Sequence, residues 1–248
     1  MEGYPREFYQ DLTHTALPSA RRIVPIVRDL ITVNSVVDVG CGNGAWLAVF
    51  RETGTADVLG IEGDWIDEDQ LLIDAGCFRR WSLSASLPVD RRFDLAISLE
   101  VAEHLPPERA DGFIAELTRL APAVLFSAAI PNQGGFNHLN EQWPAHWADL
   151  FARRAYVPID TIRWQVWNDP EVTWWYRQNI LLFASEGAIA QNERLAAVRR
   201  ASPPTPLAVV HPEKFEATVR LGEPGFGRWL KMGRAALRRS LARERKHR

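Results

Sequence analysis

The chain has 248 residues, of which 46% are hydrophobic and 24% are charged, and these proportions exclude a wholly disordered protein. Its formal net charge of −2 is unevenly distributed, because residues 228–248 carry nine basic side chains and one acidic side chain, a local charge of +8. The rest of the chain therefore carries −10, so the sequence has an acidic body and a short basic tail.

Cysteine content and hydropathy exclude further classes of protein. Cys41 and Cys77 are too few for a disulfide scaffold or a four-cysteine zinc site. No run of about 18 apolar residues is present, which argues against a membrane-spanning helix. The first ten residues lack the apolar core of a secretory signal. We therefore expect a cytoplasmic protein with reduced thiols.

Strands alternate with helices along most of the chain. Helices are predicted over residues 19–31, with Ser19 as the N-cap, and over residues 45–51, 66–74, 107–120 and 144–154. Strands are predicted over residues 35–39, 57–61, 78–83, 93–99, 123–128, 155–162 and 178–184. This alternation predicts an α/β fold with a doubly wound, mostly parallel seven-stranded sheet.

The sequence changes character after about residue 200. A proline-rich stretch begins at residue 202, so we predict one domain over residues 1–200 and a linker over residues 201–225. Residues 226–248 are predicted to form a basic amphipathic helix that rests on an anionic membrane surface, contacts nucleic acid or an acidic partner, or is simply solvated. Its apolar stripe contains Trp229, Met232, Ala236, Leu237 and Leu241.

The most informative segment is the glycine-rich turn between the first strand and the next helix. Asp38 precedes Gly40, Gly42 and Gly44 in the pattern D-x-G-x-G-x-G. Glycines let the backbone turn sharply and approach a ligand, and the following helix N-terminus offers N–H groups. With Ala45, the turn also satisfies the dinucleotide pattern G-x-G-x-x-G/A. It therefore predicts a site for a nucleotide-like cofactor.

Acidic residues follow two other strands. Glu62 comes 22 residues after Gly40, at the offset where a carboxylate accepts both ribose hydroxyls of such a cofactor. Glu100, Glu103 and His104 follow the fourth strand, and a helical turn there would place all three on one face. Two carboxylates and an imidazole can bind a divalent ion such as Mg²⁺, Mn²⁺, Fe²⁺ or Zn²⁺.

The D-x-G-x-G-x-G turn resembles the first motif of class I S-adenosylmethionine (SAM)-dependent methyltransferases. Residues 19–185 are similar to the bacterial small-molecule branch of that family, whose members are often linked to natural-product or cell-surface glycan modification. Four segments carry this similarity: SLEVAEHL, SAAIPNQGG, HLNEQWP and WWYRQN. The resemblance implies the Rossmann-like methyltransferase fold and SAM as cofactor.

The same resemblance implies a set of cofactor contacts. Many of these enzymes bind the adenine amino group with an Asp after the third strand, and here Ser82 stands at that position. The Leu83 backbone is the alternative adenine contact. The implied SAM-binding residues are Asp38, Gly40, Cys41, Gly42, Gly44, Glu62, Gly63, Ser82, Leu83, Leu99 and Glu100.

The E-x-x-E-H motif is shared with ubiquinone-pathway O-methyltransferases and with small-RNA 3′-end 2′-O-methyltransferases. In the second group this cluster and a downstream histidine hold a metal, and that resemblance implies a divalent ion, Mg²⁺ or another metal, bound here. The implied metal ligands are Glu100, Glu103, His104 and His138. Metal-free methyltransferases carry the motif too, in which case His138 or His104 is the candidate general base, with Glu141 as a further catalytic candidate.

The acceptor region is predicted downstream of the fifth strand. Residues 143–176 contain six of the ten tryptophans; most are expected in the core, and several could line a pocket for a sugar or flat ring. The polar loop over residues 131–144 follows a strand end and offers Asn132, Gln133, Asn140 and Glu141 to acceptor hydroxyls. Because an oxygen nucleophile needs a base or metal, which the glutamate-histidine cluster after the fourth strand could supply, we favour O-methylation of a small-molecule hydroxyl.

Four alternatives remain open. A metal-dependent RNA 2′-O-methyltransferase is suggested by the Glu-Glu-His-His set and the basic tail, but a body of −10 would repel phosphate, so nucleic acid is not the expected partner. N-methylation of an amino sugar would need less help from the protein. A non-enzymatic cofactor-binding module and a dehydrogenase are less favoured, the latter because nothing after the fourth strand suits hydride transfer. Oligomeric state is not indicated.

Overall fold

The computed structural model describes residues 6–202 and 206–222. Its seven strands lie in one sheet with the order β3-β2-β1-β4-β5-β7-β6. The strands are β1 (Ser35–Val39), β2 (Asp57–Glu62), β3 (Phe78–Arg80), β4 (Leu95–Leu99), β5 (Ala123–Ser127), β6 (Tyr156–Ile159) and β7 (Leu181–Ser185). Only β7 runs against its neighbours, so the predicted mostly parallel, seven-stranded sheet is confirmed.

Helices cover both faces of this sheet. In the first 209 residues they are α1 (Arg6–Leu30), α2 (Ala45–Glu52), α3 (Ala110–Leu120), α4 (Pro144–Ala152), α5 (Ile162–Val166), α6 (Trp174–Asn179), α7 (Glu186–Gln191) and α8 (Glu193–Ala201). One more described helix, α9 (Pro212–Gly222), follows later in the sequence. Every residue of β4 and β5 is buried, as expected for strands with helices on both sides. Leu95 and Ile97 face one hydrophobic core and Ala96 faces the other, so alternate side chains of β4 serve the two layers.

The first helix starts much earlier than the sequence predicted. Ser19 is not an N-cap but an interior residue of α1, where its Oγ donates to the Thr15 carbonyl (2.7 Å) and accepts from the Thr173 amide (3.0 Å). Residues 6–18 lack a clear apolar period, and the buried contacts of Ala16 with the core form only once the fold is assembled. The predicted N-cap was therefore wrong.

The helix predicted over residues 66–74 is also wrong. That segment contains only a single 3₁₀ turn, Glu68–Gln70. Ile66 and Ile73 are buried while most of the residues between them lie at the surface. Two buried anchors seven residues apart, joined by an acidic stretch, supply too narrow an apolar face to hold a helix against the sheet.

The chain consists of two compact units, and the boundary between them lies a few residues after residue 200. The first compact unit ends at Val209. In the second, α9 lies within residues 201–225, so part of the range predicted as a linker is helical. The amphipathic helix predicted over residues 226–248 lies outside the described residues. Among the helices that the structure describes, none is both long and apolar enough to cross a membrane.

Candidate active site

A cavity of about 390 Å³ lies at the carboxyl ends of β1, β2 and β4, the edge where parallel sheets bind ligands. Most of the predicted cofactor residues line it: Asp38, Gly40, Cys41, Gly42, Glu62, Leu83, Leu99 and Glu100. Gly44 and Gly63 lie just behind this lining, as chain neighbours of Asn43 and Glu62. Ser82 is exposed and outside the lining, which leaves Leu83 as the residue of that pair that faces the cavity.

The glycine turn requires backbone that only glycine adopts easily. Gly40, Gly42 and Gly44 have φ angles of 86°, 53° and 85°, and Gly44 immediately precedes α2. A Cβ at Gly40 would overlap the side chain of Val101. The Gly40 amide donates to the Ile61 carbonyl (2.8 Å), so the turn is tied to the end of β2.

Two buried carboxylates lie beside this turn. Glu62 accepts hydrogen bonds from the Gly42 amide (2.9 Å) and the Gly63 amide (2.8 Å). Burial raises the pKa of Glu62, and the bonds from Gly63, Gly42 and Trp65 oppose this effect. Burial, and then the charge of Glu62, raise the pKa of Asp38 well above its usual range. A ligand that brings hydroxyl donors or positive charge would stabilise both carboxylates.

Glu100 directly follows β4 and has a left-handed backbone conformation, with φ of 56°. Its amide donates to the Ser127 carbonyl (3.0 Å) and to Ser127 Oγ (3.1 Å). Its two carboxylate oxygens accept from Gln133 Nε2 (2.7 Å) and Asn179 Nδ2 (3.0 Å). Burial raises the pKa of Glu100, while the bonds from Asn179, Ser127 and Gln133 and the charge of His138 lower it.

The metal-ligand set predicted from the sequence is brought together in part. Ligand atoms of Glu103, His104 and His138 lie within 4.8 Å of one another, and Glu100 is not a member of this group. The reason lies in the backbone: the helical turn after β4 is a 3₁₀ turn that starts at Ala102, so it does not include Glu100. The four residues line one cavity, but three of them converge.

The converging side chains fit a divalent cation. Glu103 is fully buried, and within the described chain neither of its carboxylate oxygens has a hydrogen-bond partner. Burial, and then the charge of Glu100, raise the pKa of Glu103 well above its usual range. Burial and the nearby His138 lower the pKa of His104 to about 4, which favours the neutral imidazole that a metal needs. One carboxylate and two imidazoles suit Zn²⁺, Fe²⁺ or Mn²⁺.

His138 and Glu141 form a hydrogen-bonded pair in the loop after β5. His138 Nδ1 lies 2.8 Å from Glu141 Oε1, and the Glu141 carboxylate also accepts from the amides of Asn132 (2.7 Å) and Gly134 (2.8 Å). Burial acts to raise the pKa of Glu141, but these bonds outweigh it and the pKa is lowered. A Cβ at Gly135 would overlap the His138 ring near Nε2. Gly135 thus packs closely against this side of the ring, and because Nδ1 is hydrogen-bonded to Glu141, Nε2 is the nitrogen left to serve a ligand.

Sequence comparison identifies the family. Residues 1–169 match the family described as "Methyltransferase domain". This chain belongs to that methyltransferase family. It is accordingly a SAM-dependent methyltransferase, as the sequence predicted. No curated protein matches the chain.

Solved structures share the fold of this methyltransferase at low identity. The sugar N-methyltransferase KedS8 from Streptoalloteichus sp ATCC 53650 is 13% identical, with a TM-score of 0.56 over 75% of this chain and 94% of that chain. The magnesium protoporphyrin IX methyltransferase ChlM from Synechocystis PCC 6803, with bound SAH, is 17% identical, with a TM-score of 0.51 over 75% and 90%. Streptomyces venezuelae DesVI is 12% identical, with a TM-score of 0.52 over 73% and 99%. These similarities establish the fold.

Aromatic side chains form much of the remaining cavity wall of the methyltransferase. These are Trp46, Trp65, Phe136, Trp174, Trp175 and Tyr176. Of the six tryptophans in residues 143–176, Trp174 and Trp175 line the cavity, whereas Trp147 is buried against Phe126 and Trp164 is 45% exposed. The positions of these tryptophans agree with the expectation that only some of them line a pocket.

Several lining or supporting residues were not predicted. Thr15 and Ala16 of α1 line the cavity, and Gln178 and Asn179 at the end of α6 are buried polar residues next to it. The weak pattern of residues 6–18 gave no sign of the first pair. The polar run R-Q-N directly before a buried strand was the available signal for the second, because polar residues at such a place need partners.

Proposed function

We propose that this methyltransferase transfers the methyl group of SAM to a hydroxyl of a small molecule, a sugar or another ring-bearing natural product. The hydrogen bond between Glu141 and His138, whose ring lines the cavity, carries this proposal. An oxygen nucleophile must lose a proton as it attacks, and a histidine held by a carboxylate is suited to take it. The aromatic wall of the same cavity suits a sugar or flat ring.

The cofactor contacts follow from the carboxyl ends of the strands. Glu62 is held by backbone amides so that its carboxylate can accept the ribose hydroxyls. Asp38 and the glycine turn would receive the amino-acid end of SAM, and Leu83 would pack against the adenine. SAM carries a sulfonium and an ammonium group, and both charges complement a cavity lined by Asp38, Glu62, Glu100 and Glu103.

The transfer step needs one proton acceptor on the protein. The acceptor oxygen forms a bond to the methyl carbon while the carbon–sulfur bond breaks, and its electron pair stays on sulfur to give S-adenosylhomocysteine (SAH). His138 Nε2 takes the hydroxyl proton, and Glu141 stabilises the imidazolium that results. The cavity would align the two reactants, and a bound acceptor would displace water that competes for the methyl group.

A divalent cation is the alternative to His138 as the group that activates the acceptor hydroxyl. Glu103, His104 and His138 would hold it, since Glu103 is a buried carboxylate that lacks partners among the described residues. Such an ion supplies Lewis acidity, which lowers the pKa of an acceptor hydroxyl. His138 is then a ligand rather than the base, so the two roles exclude each other and predict opposite responses to chelation.

A panel of acceptors tests the proposed reaction. Purified protein is incubated with SAM and with hydroxyl-bearing sugars and phenolic natural products, and methylated products are located by mass spectrometry and NMR. We expect transfer to oxygen, and a loss of at least about 100-fold in kcat for His138→Ala. His146→Ala is the matched control, because His146 lies on α4 outside the cavity lining.

Three outcomes would contradict the proposal in different ways. Transfer to nitrogen alone, with amino sugars in the panel, would establish the N-methyltransferase alternative. Transfer to the terminal 2′-hydroxyl of RNA would establish the RNA alternative, which the acidic lining and the absence of Lys or Arg among the described lining residues disfavour. Undiminished activity after exhaustive chelation would remove the metal and leave His138 as the base.

A further inference from the structure

The Glu100 carboxylate accepts hydrogen bonds from two side chains that are distant from it in sequence. Gln133, in the loop between β5 and α4, donates from Nε2 to Oε2 of Glu100 (2.7 Å). Asn179, the last residue of α6, donates from Nδ2 to Oε1 (3.0 Å). Each carboxylate oxygen therefore accepts one amide hydrogen bond, and each keeps acceptor capacity for a ligand.

The two amides are also bonded to each other, which fixes their orientation. Asn179 Nδ2 donates to Gln133 Oε1 (2.9 Å), and Gln178 Nε2 donates to Asn179 Oδ1 (3.0 Å). With both amide oxygens already accepting, the NH₂ groups of Gln133 and Asn179 are the groups that face the carboxylate. The network thus presents N–H donors to Glu100, and these donors favour the ionised carboxylate, which accepts hydrogen bonds.

The backbone around this network is anchored as well. Glu100 holds a positive φ, which is unfavourable for a non-glycine residue and is retained only where surrounding contacts enforce it. Arg163 on α5 is fully buried and forms an ion pair with Asp160. It also donates a hydrogen bond to the Gln178 carbonyl (3.0 Å), near the end of α6. Both sides of the network are therefore held by structure outside the cavity.

The direction in which Glu100 acts follows from its neighbours. Tyr176, also on α6, is buried in the cavity wall, and burial raises its pKa, with further contributions from the charges of Glu100 and Asp38. Asp38 and Glu100 line the same cavity as this ring. Because β1 and β4 are neighbouring parallel strands, and Asp38 and Glu100 lie near their carboxyl ends, Glu100 lies at the same edge of the cavity as the glycine turn.

We propose that Asn179 and Gln133 are positioning residues, which hold the Glu100 carboxylate as a preoriented acceptor for the cationic amino-acid end of SAM. This inference rests on the proposed function, because it takes SAM as the ligand of this cavity. A carboxylate that neutral donors already hold in place loses little conformational entropy when it binds an ammonium group. Removing the donors would leave Glu100 free to turn away.

Calorimetric titration of the full chain with SAH tests the proposal, since SAH has the ammonium group but not the sulfonium. We expect Asn179→Asp, which replaces a donor by a second carboxylate of the same shape, to weaken SAH binding by at least about ten-fold. Gln165→Glu is the matched control, an amide-to-acid change at an exposed position of α5, and it should bind as the wild type does.

A double-variant cycle separates positioning from a general structural role. In a Glu100→Ala background, Asn179→Ala should cause no further loss of SAH affinity, because the residue it positions is gone. The thermal midpoint of each variant shows whether it folds. If the Asn179 variants do not fold, the same cycle with Glu100→Ala is carried out with Gln133→Ala, which lies in a loop. Wild-type affinity in the Asn179 and Gln133 single variants, or losses that multiply in the double variant, would overturn the inference. A wild-type protein that binds no SAH would instead overturn the proposed function.

Discussion

At the scale of single residues, the site depends on conformations and burial that few side chains tolerate. Gly40 combines a positive φ with close approach to Val101, and Glu103 is a carboxylate buried without hydrogen-bond partners in the described chain. Without a bound ligand, each of these two features lowers the stability of the folded protein. Each is explained if the cavity binds a ligand close to the backbone and a cation close to Glu103.

Three glycine-to-alanine variants separate backbone strain from steric overlap. Gly187→Ala, in α7 with open space around it, should raise stability by roughly 0.5–1 kcal/mol. Gly54→Ala, with φ of 101° and open space, should lower it by about 1–2 kcal/mol. Gly40→Ala adds overlap with Val101 and should cost a further ~1–3 kcal/mol and weaken SAH binding. Chemical denaturation measures all three, and equal stability of the Gly40 and Gly54 variants would contradict this ordering.

The neutral variant Glu103→Gln should respond to metal differently from the wild type. Without metal, the variant should be as stable as the wild type or more stable, because an unpaired buried carboxylate is replaced by a group that carries no charge. With added Mn²⁺ or Zn²⁺, the wild type should gain several degrees in Tm and the variant should gain less. Equal gains by the two proteins would show that the ion binds elsewhere.

At the scale of elements, short helices after β5 complete the cavity. Helix α6 supplies three lining residues, Trp174, Trp175 and Tyr176, and ends at Asn179, which binds Glu100. Helix α5 supports α6 through Arg163, whose guanidinium bonds to the Gln178 carbonyl and to the Leu207 carbonyl (2.9 Å). These helices have six residues or fewer, so tertiary contacts rather than helix propensity must stabilise them.

Arg163→Met should therefore be far more damaging than the same change at the surface. It leaves Asp160 largely buried without its charged partner and should cost roughly 3–5 kcal/mol. Arg91→Met removes a two-point ion pair with Asp57 whose side chains are about half exposed, and it should cost no more than about 1 kcal/mol. Urea denaturation compares them, and a similar loss for both variants would contradict a supporting role for α5.

At the scale of the whole molecule, charge divides the chain more sharply than the net value of −2 indicates. The catalytic unit lies in the acidic part, whose cavity lining includes four carboxyl groups. The +8 of residues 228–248 lies outside the described residues, so the membrane contact expected of the tail stays a prediction.

Vesicle flotation tests that prediction. The full chain should float with vesicles that contain anionic phospholipid and release at high salt, because nine basic residues would be attracted to a negative surface. A chain that ends at residue 225 should remain in the soluble fraction, as should the full chain with neutral vesicles. Equal flotation of the two chains would show that the tail does not direct binding.

The amino-acid sequence by itself determined the fold class, the family and most of the cavity lining around the glycine turn. Buried strands, the D-x-G-x-G-x-G turn and Glu62 are local patterns, and parallel strands bring their carboxyl ends to one edge whatever the loops do. The start of α1 at Arg6 and the loss of a helix over residues 66–74 could not be predicted, because burial against distant elements decides whether weakly patterned segments become helical.

The tertiary structure decided which polar groups meet. Glu100 and Glu103 are three residues apart and looked equivalent in sequence, but Glu100 itself has a left-handed backbone conformation and the 3₁₀ turn that contains Glu103 begins only at Ala102. Glu103 joins His104 and His138, whereas Glu100 is bound by Gln133 and Asn179. Side-chain partners across 33 and 79 positions of sequence leave no periodic signal, since only the packing of α6 and the loop after β5 against the sheet brings them within hydrogen-bond reach.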